Sequence, residues 1–126
     1  MVVLDTHALV WWTTDPRRLG RRATIAINEA DRIGIPAIVF WEVSLLVRKA
    51  RIALDMPVSE WAEKVQLIPR VESIPLTAEI AIAADALEMH ADPADRFIIA
   101  TARWLDVPVV TKDRSIRGRR GVKTIW

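Results

Sequence analysis

Short apolar runs alternate along the chain with longer stretches in which apolar residues recur every three or four positions. The short runs predict buried strands, because a strand inside a parallel sheet is covered on both faces. The longer stretches predict amphipathic helices, each with one apolar stripe facing inward. The predicted strands are residues 2–4, 33–38, 71–76, 107–111 and 122–125, the last of them at a sheet edge.

Capping signals set the expected ends of several helices. The Asp-Pro pairs at 15–16 and 92–93 each place an N-cap aspartate before a proline, which suits the first helical position. Ser59 and Thr77 are predicted to start two further helices. The predicted helices are residues 6–12, 16–30, 39–51, 59–67, 77–89 and 93–105.

Strands that alternate with helices of about 10 to 15 residues are typical of βαβ units. We therefore predict an α/β fold, with a central, mainly parallel sheet flanked by helices in three layers. The length of 126 residues predicts a single domain over residues 1–126. In such sheets ligands bind at the carboxyl ends of the strands, so the residues that follow each strand are the first candidates for a binding site.

Composition excludes several classes of protein. The chain has no cysteine, which excludes a disulfide scaffold, a zinc–thiolate site and a cysteine nucleophile. No apolar run reaches the roughly 20 residues of a membrane span. The first residues lack the basic region and cleavage site of a secretory signal. We expect a cytoplasmic protein with no membrane partner.

The net charge of +2 conceals two basic clusters. One comprises Arg17, Arg18, Arg21 and Arg22, and the other lies in residues 112–126, where six basic residues accompany one acidic residue. Such clusters are commonly solvated faces. Beside an acidic site they would instead be a binding surface for a polyanion.

Five carboxylates occupy positions that are expected to meet at one edge of the sheet. Asp5 follows the first strand directly, and Asp113 follows the strand at 107–111. Asp92 and Asp95 lie in the first turn of a helix, where Asp92 is expected to act mainly as the N-cap. Glu42 interrupts an otherwise apolar run, and a charge in such a setting needs a partner.

Carboxylates gathered in one pocket raise one another's pKa unless a cation neutralises them. Oxygen ligands without cysteine favour Mg²⁺ or Mn²⁺ over Zn²⁺. Such ions can activate water and neutralise a phosphodiester, and the basic clusters would then contact the phosphate backbone. For any one of these acids, helix capping remains the simpler alternative. His7 and His90 are expected to be structural.

The residues resemble a known family. The opening Val-Leu-Asp-Thr-His at 3–7, Glu42 in the third main helix, Asp-Pro-Ala-Asp-Arg at 92–96 before an apolar helix, and Thr-Lys-Asp at 111–113 are similar to PIN-domain ribonucleases of the VapC toxin type. The resemblance spans nearly the whole chain. It implies a PIN-like three-layer fold and an endoribonuclease that depends on Mg²⁺ or Mn²⁺.

The resemblance also implies site residues and partners. The metal-binding catalytic acids would be Asp5, Glu42, Asp95 and Asp113, with Thr6, Thr111 and Asp92 in support. The partners would be RNA, a VapB-like antitoxin and a second copy of the chain in a homodimer, inside a prokaryotic cell. The expected RNA-binding residues are Arg96, Lys112, Arg114, Arg117, Arg119 and Arg120.

Two other functions remain open from the sequence. A receiver-like phospho-acceptor module also uses aspartates at strand ends, Mg²⁺ and a lysine. It is disfavoured because His7 stands where a second acid would be expected after the first strand, and residues 33–38 contain no acceptor aspartate. A PIN domain that binds RNA without cleaving it is the second alternative, and four intact acids argue against it.

Overall fold

Short parallel strands form the centre of the molecule, which is described here by a computed structural model covering residues 1–87 and 92–126. All pairings between neighbouring strands are parallel, and the sheet runs β3-β2-β1-β4-β5. The expected mainly parallel sheet is confirmed. The strands are β1 (Val2–Leu4), β2 (Ile33–Pro36), β3 (Val71–Ile74), β4 (Val109–Val110) and β5 (Thr124–Ile125).

Helices connect the strands and flank the sheet. Because helices flank the sheet, the expected three-layer α/β architecture is confirmed. A 3₁₀ turn at Pro16–Arg18 follows the first helix. The helices are α1 (Thr6–Thr14), α2 (Arg21–Glu29), α3 (Ala37–Arg48), α4 (Val58–Leu67), α5 (Ala78–Asp85) and α6 (Pro93–Leu105).

The strand order creates the crevice in which a site can form. The chain moves outward from β1 through β2 to β3, and then returns across the sheet to β4 on the other side of β1. The connections therefore leave β1 and β4 in opposite directions, and this is the topological switch point at which α/β sheets bind ligands. Val3 pairs with Gly34 on one side and Val109 on the other, and it is fully buried. The buried strand β1 thereby fixes the position of Asp5, which follows it directly.

Two predicted helix starts are confirmed by side-chain caps. The Thr77 hydroxyl accepts a hydrogen bond from the Ile80 backbone N–H at 3.3 Å, and Asp92 Oδ1 accepts one from Ala94 at 3.3 Å. The prediction that Ser59 caps a helix is wrong, because α4 begins one residue earlier, after Pro57. His90 and the predicted end of the helix at 77–89 lie outside the described residues.

The single helix predicted over residues 16–30 is also wrong. The 3₁₀ turn ends at Arg18, the backbone of Leu19 is extended, and α2 begins after Gly20. A Cβ atom on Gly20 would lie 2.7 Å from the Trp126 carbonyl carbon. The far end of the chain therefore packs against the glycine and occupies the space that a residue with a side chain would need.

Helix α3 begins and ends earlier than the predicted range of 39–51. Its end has the hydrogen bonds of a Schellman motif, from the Ala50 N–H to Val47 O at 3.0 Å and from the Arg51 N–H to Leu46 O at 2.9 Å. Ala50, which follows the last helical turn, adopts the left-handed conformation with φ of 54°. Glycine is the residue usually found in this conformation. Alanine is strained here, since its Cβ crowds the carbonyl oxygen.

We expect Ala50→Gly to stabilise the fold by about 1 kcal/mol, because glycine adopts a positive φ without this strain. Chemical denaturation of the two proteins would measure the difference. Ala53→Gly, in the loop that follows, is the control and should not stabilise. An Ala50→Gly protein that unfolds at the same or lower denaturant concentration would contradict the assignment of strain.

Candidate active site

Asp5 is held at the point where β1 ends and α1 begins. It is 5% exposed, and its Oδ1 accepts a hydrogen bond from the Ala8 backbone N–H at 2.8 Å. Asp5 is therefore the N-cap of α1 as well as a carboxylate at the sheet edge. The cap and the Thr111 hydroxyl together fix the orientation of this buried carboxylate.

Asp113 is positioned by a short turn that follows β4. Its backbone N–H donates to Thr111 Oγ1 at 2.9 Å, and Thr111 is fully buried. The Asp113 Oδ1 atom accepts hydrogen bonds from both the backbone N–H and the hydroxyl of Ser115, each at 2.8 Å. Thr111 thus orients the turn, while Ser115 orients the carboxylate.

Ser115 joins two acids that are distant in sequence. Its Oγ also lies 3.4 Å from Asp95 Oδ2, while Asp95 lies in the first turn of α6. The sequence analysis did not identify Ser115. The only available signal was the spacing Asp113-x-Ser115, which is common in turns and indicates local hydrogen bonding as readily as function.

Glu42 reaches the same region from α3. Its Oε2 atom and the Thr6 hydroxyl are both buried, and neither has a hydrogen-bond partner among the described residues. A buried carboxylate oxygen without a partner is costly. The two groups lie near each other, and the Glu42 oxygen remains able to accept a bond from a ligand, an ion or water.

These side chains line one cavity of about 220 Å³. The sheet edge, the first turn of α6 and the middle of α3 each contribute carboxylates to its wall. The acidic cavity is lined by Asp5, Thr6, His7, Glu42, Leu45, Leu46, Lys49, Arg51, Asp92, Asp95 and Asp113. The structure thus brings together the acids that sequence analysis selected, and it adds two basic residues that the analysis did not select.

The acids disfavour one another's ionisation. Burial, followed by repulsion from Asp113 and Glu42, raises the pKa of Asp95 to about 7. Burial also raises the pKa of Asp5, while hydrogen bonding to Thr111 and Ala8 opposes the rise. The pKa of Glu42 is raised chiefly by burial, and the Thr6 hydroxyl lowers it to a lesser degree. The site therefore carries more negative charge than its surroundings stabilise.

The donor set suits a hard divalent cation. Every candidate ligand is a carboxylate or hydroxyl oxygen, and Mg²⁺ and Mn²⁺ prefer such ligands. The buried Oε2 of Glu42 offers an unengaged donor. In residues 1–87 and 92–126, no three histidine or carboxylate side chains are gathered closely enough to hold an ion as they stand. The fit therefore rests on charge and ligand chemistry, and side-chain adjustment would have to accompany binding.

One residue from each basic cluster, Arg18 and Lys112, lies beside the ring of Trp11. The Arg18 guanidinium lies 4.6 Å from the Trp11 ring centroid, and Lys112 Nζ lies 5.9 Å from it. The His7 ring is 5.6 Å from the same indole. A second, open cavity of about 340 Å³ adjoins the site and is lined by Asp5, His7, Lys112 and Asp113. His7, which was expected to pack in the first turn, is exposed at this rim.

Other predicted RNA-binding residues have different surroundings. The Arg96 guanidinium donates to the backbone carbonyls of Ala84, Asp85 and Leu87, at 2.7–3.3 Å, and so holds the end of α5. Arg119 donates from Nε to the Ser115 carbonyl at 2.9 Å, which braces the turn that carries Asp113. A larger cavity of about 470 Å³ includes Arg119 and Arg120, and no carboxylate of residues 1–87 or 92–126 lines it, so we do not assign the chemistry to it.

The profile of the PIN domain matches residues 2–121. The chain belongs to the PIN-domain family. Ribonuclease VapC22 of Mycobacterium tuberculosis is 39% identical to it, over 99% of this chain and 98% of that protein. The similarity groups this PIN domain with the VapC proteins, which confirms the resemblance found in the sequence.

Solved structures support the same fold. A toxin–antitoxin complex from Klebsiella pneumoniae matches with a TM-score of 0.69 and 22% identity, over 97% of this chain and 95% of that one. VapBC2 from Rickettsia felis, bound to a DNA fragment from the promoter, matches with a TM-score of 0.71 and 16% identity, over 98% and 97%. At these identities the likeness establishes the fold. None of the described helices is long and apolar enough to cross a membrane.

The raised pKa of Asp95 makes the stability of the metal-free protein depend on pH. Folded Asp95 retains a proton that the unfolded chain loses near the ordinary aspartate pKa of 3.8, so this group's contribution to stability falls as pH rises from about 4 to 7. We expect a loss of about 2 kcal/mol, because one pKa unit is worth about 1.4 kcal/mol and solvent screens part of the shift.

Denaturation in EDTA at several pH values would measure this dependence. Asp95→Asn should flatten the profile between pH 4 and 7, while Asp55→Asn, in a loop outside the acidic cavity, should leave it unchanged. An Asp95→Asn profile as steep as that of the wild type would show that Asp95 ionises freely in the folded protein.

Proposed function

We propose that this PIN-domain protein is an endoribonuclease that depends on Mg²⁺ or Mn²⁺ and acts as the toxin of a VapBC-type pair. The observation that carries the proposal is the acidic cavity at the switch point of the sheet, whose carboxylates repel one another. The similarity to Ribonuclease VapC22 supports RNA as the substrate. The reaction is hydrolysis of a phosphodiester bond.

Asp5, Glu42, Asp95 and Asp113 would hold the ion. When bound, Mg²⁺ or Mn²⁺ activates a water molecule and neutralises charge on the phosphodiester. Hydrolysis requires the water oxygen to bond to phosphorus while the opposite P–O bond breaks and the departing oxygen gains a proton. The ordered carboxylates fix where this water and phosphate can lie, and that positioning is the contribution of the chain.

Hydroxyl groups and a helix cap support the acids. Ser115 and Thr111 hold the turn of Asp113, and Ser115 also lies beside Asp95. Asp92 caps α6 and thereby places Asp95 in its first turn. The buried Thr6 hydroxyl, which faces the carboxylate of Glu42, is proposed to donate to that carboxylate or to the substrate.

The basic flank is proposed to contact the RNA backbone. Lys112 lies at the rim of the site and, with Arg18, surrounds Trp11. Arg114, Arg117 and Arg120 are exposed on the segment that follows and extend the positive surface. Arg96 and Arg119 are assigned structural roles instead, because their guanidinium groups hold backbone carbonyls.

A VapB-like antitoxin and a second copy of the chain are the proposed protein partners. The neighbours from Klebsiella pneumoniae and Rickettsia felis are toxin–antitoxin assemblies by title. Exposed apolar side chains offer contact area: Trp41 is 51% exposed beside Glu42, while Ile82 and Trp104 are 72% and 60% exposed. We propose the cytoplasm of a prokaryote as the location.

The alternatives are less well supported. The sheet order places β1 between β2 and β4, whereas receiver-like folds place their first strand between the second and third. The receiver-like module is therefore excluded by topology. A PIN domain that only binds RNA would need neither the crowded acids nor the partnerless Glu42 oxygen, so cleavage is the better proposal.

Cleavage of total cellular RNA by antitoxin-free protein tests the function. We expect discrete fragments with Mg²⁺ or Mn²⁺, none with EDTA, and a rate loss of more than about 100-fold for Asp95→Asn, because each acid positions the ion. Asp55→Asn should cleave normally. Intact RNA with either metal would contradict the proposal, and RNA binding without cleavage would favour the non-catalytic alternative.

Metal binding can be measured without turnover. We expect Mg²⁺ or Mn²⁺ to raise the melting temperature of the wild-type protein, because an ion that binds only the folded state stabilises it by mass action. The shift should be lost in Asp95→Asn and retained in Asp55→Asn. Equal shifts in all three proteins would place the ion elsewhere.

A further inference from the structure

Two basic side chains lie in the wall of the acidic cavity on its α3 side. Lys49 and Arg51 line the same 220 Å³ cavity as the carboxylates. Both residues are exposed, and among the described residues neither forms an ion pair or a side-chain hydrogen bond. Positive and negative groups thus face a common space without neutralising each other directly.

The backbone directs both side chains to this wall. Lys49 is the C-cap of α3, and Ala50 in the left-handed conformation turns the chain so that Arg51 also lines the cavity. A strained residue that is not glycine persists only where the surroundings require its conformation, and such residues cluster at functional sites. The turn brings the two cations, one residue apart, to one wall.

Support for the helix end does not account for these cations. Basic residues are common at helix C-termini, where they interact with the exposed carbonyl groups. Here the carbonyls of Leu46 and Val47 already accept the backbone N–H groups of Arg51 and Ala50. Lys49 and Arg51 are therefore available to an anion that enters the cavity between them and the acids.

We propose that Lys49 and Arg51 bind the phosphate backbone of the RNA strand as it enters the acidic cavity from the α3 side. The inference rests on the proposed nuclease function and deepens it, since it adds a second phosphate-binding wall to that of Lys112. A phosphodiester needs cations on one side while the carboxylates face its reacting side. Arginine and lysine are the side chains that supply such contacts.

Binding of a fluorescein-labelled 12-nucleotide oligouridylate tests the inference. It would be measured by anisotropy in an Asp95→Asn background that does not cleave. We expect the Lys49→Gln/Arg51→Gln pair to weaken binding about tenfold at 150 mM salt, and to reduce the slope of log K against log salt by about 1.4, because each lost phosphate contact removes about 0.7.

The matched control removes the same net charge elsewhere. Arg48→Gln/Lys64→Gln changes two exposed cations that do not line the cavity, and it should leave the slope within experimental error of the parent. In the cleaving background, the Lys49→Gln/Arg51→Gln pair should raise KM more than it lowers kcat. Melting curves of all variants would verify that they fold.

The outcomes separate the inference from the function. If the wild type cleaves RNA normally and Lys49→Gln/Arg51→Gln has the same slope of log K against log salt as its parent, the inference is overturned and the proposed nuclease function stands. An equal loss in the control pair would also overturn it, because only net charge would matter. If Lys49→Gln/Arg51→Gln binds RNA normally but binds polyglutamate more weakly than its parent, the inference is overturned, and Lys49 and Arg51 bind an acidic polypeptide instead. Absence of both cleavage and RNA binding in wild type would overturn the function and the inference together.

Discussion

Repulsion among carboxylates at one edge of the sheet is the constraint around which the rest of the site is arranged. Burial of Asp95, followed by repulsion from Asp113 and Glu42, raises the pKa of Asp95 to about 7. This arrangement costs stability, and a fold selected for stability alone would have paired or removed these charges. A bound divalent cation would reduce the repulsion among these carboxylates. The same repulsion therefore favours binding of such an ion at the cavity.

Local hydrogen bonds make this crowding tolerable and keep the acids in place. Each anchored carboxylate is attached to its own segment: Asp5 to the first turn of α1, Asp92 to the start of α6 and Asp113 to the turn after β4. Capping and function are therefore not competing explanations for these residues. A helix N-terminus stabilises negative charge, so the same carboxylate can begin a helix and face the cavity.

Much of this arrangement could be predicted because it follows from short-range patterns. The apolar runs that became β1 and β4 identified Asp5 and Asp113, and the Asp-Pro pair at 92–93 identified the start of α6. Ser115, Lys49 and Arg51 were missed because no strand end, cap or periodicity marks them. Their importance depends on which other segments lie opposite, and a turn or a helix end looks the same in sequence wherever it packs.

The sequence by itself determined the α/β class, the parallel order of alternating elements and most acids of the site, because hydrophobic periodicity and capping act over a few residues. Tertiary structure alone decided where chain segments meet. Trp126 packs against Gly20 and accompanies the break between the 3₁₀ turn and α2, although more than 100 residues separate them. The Ser115 link to Asp95 and the basic wall opposite the acids likewise arise only when the sheet returns across β1, since contacts between distant segments depend on topology rather than on local preference.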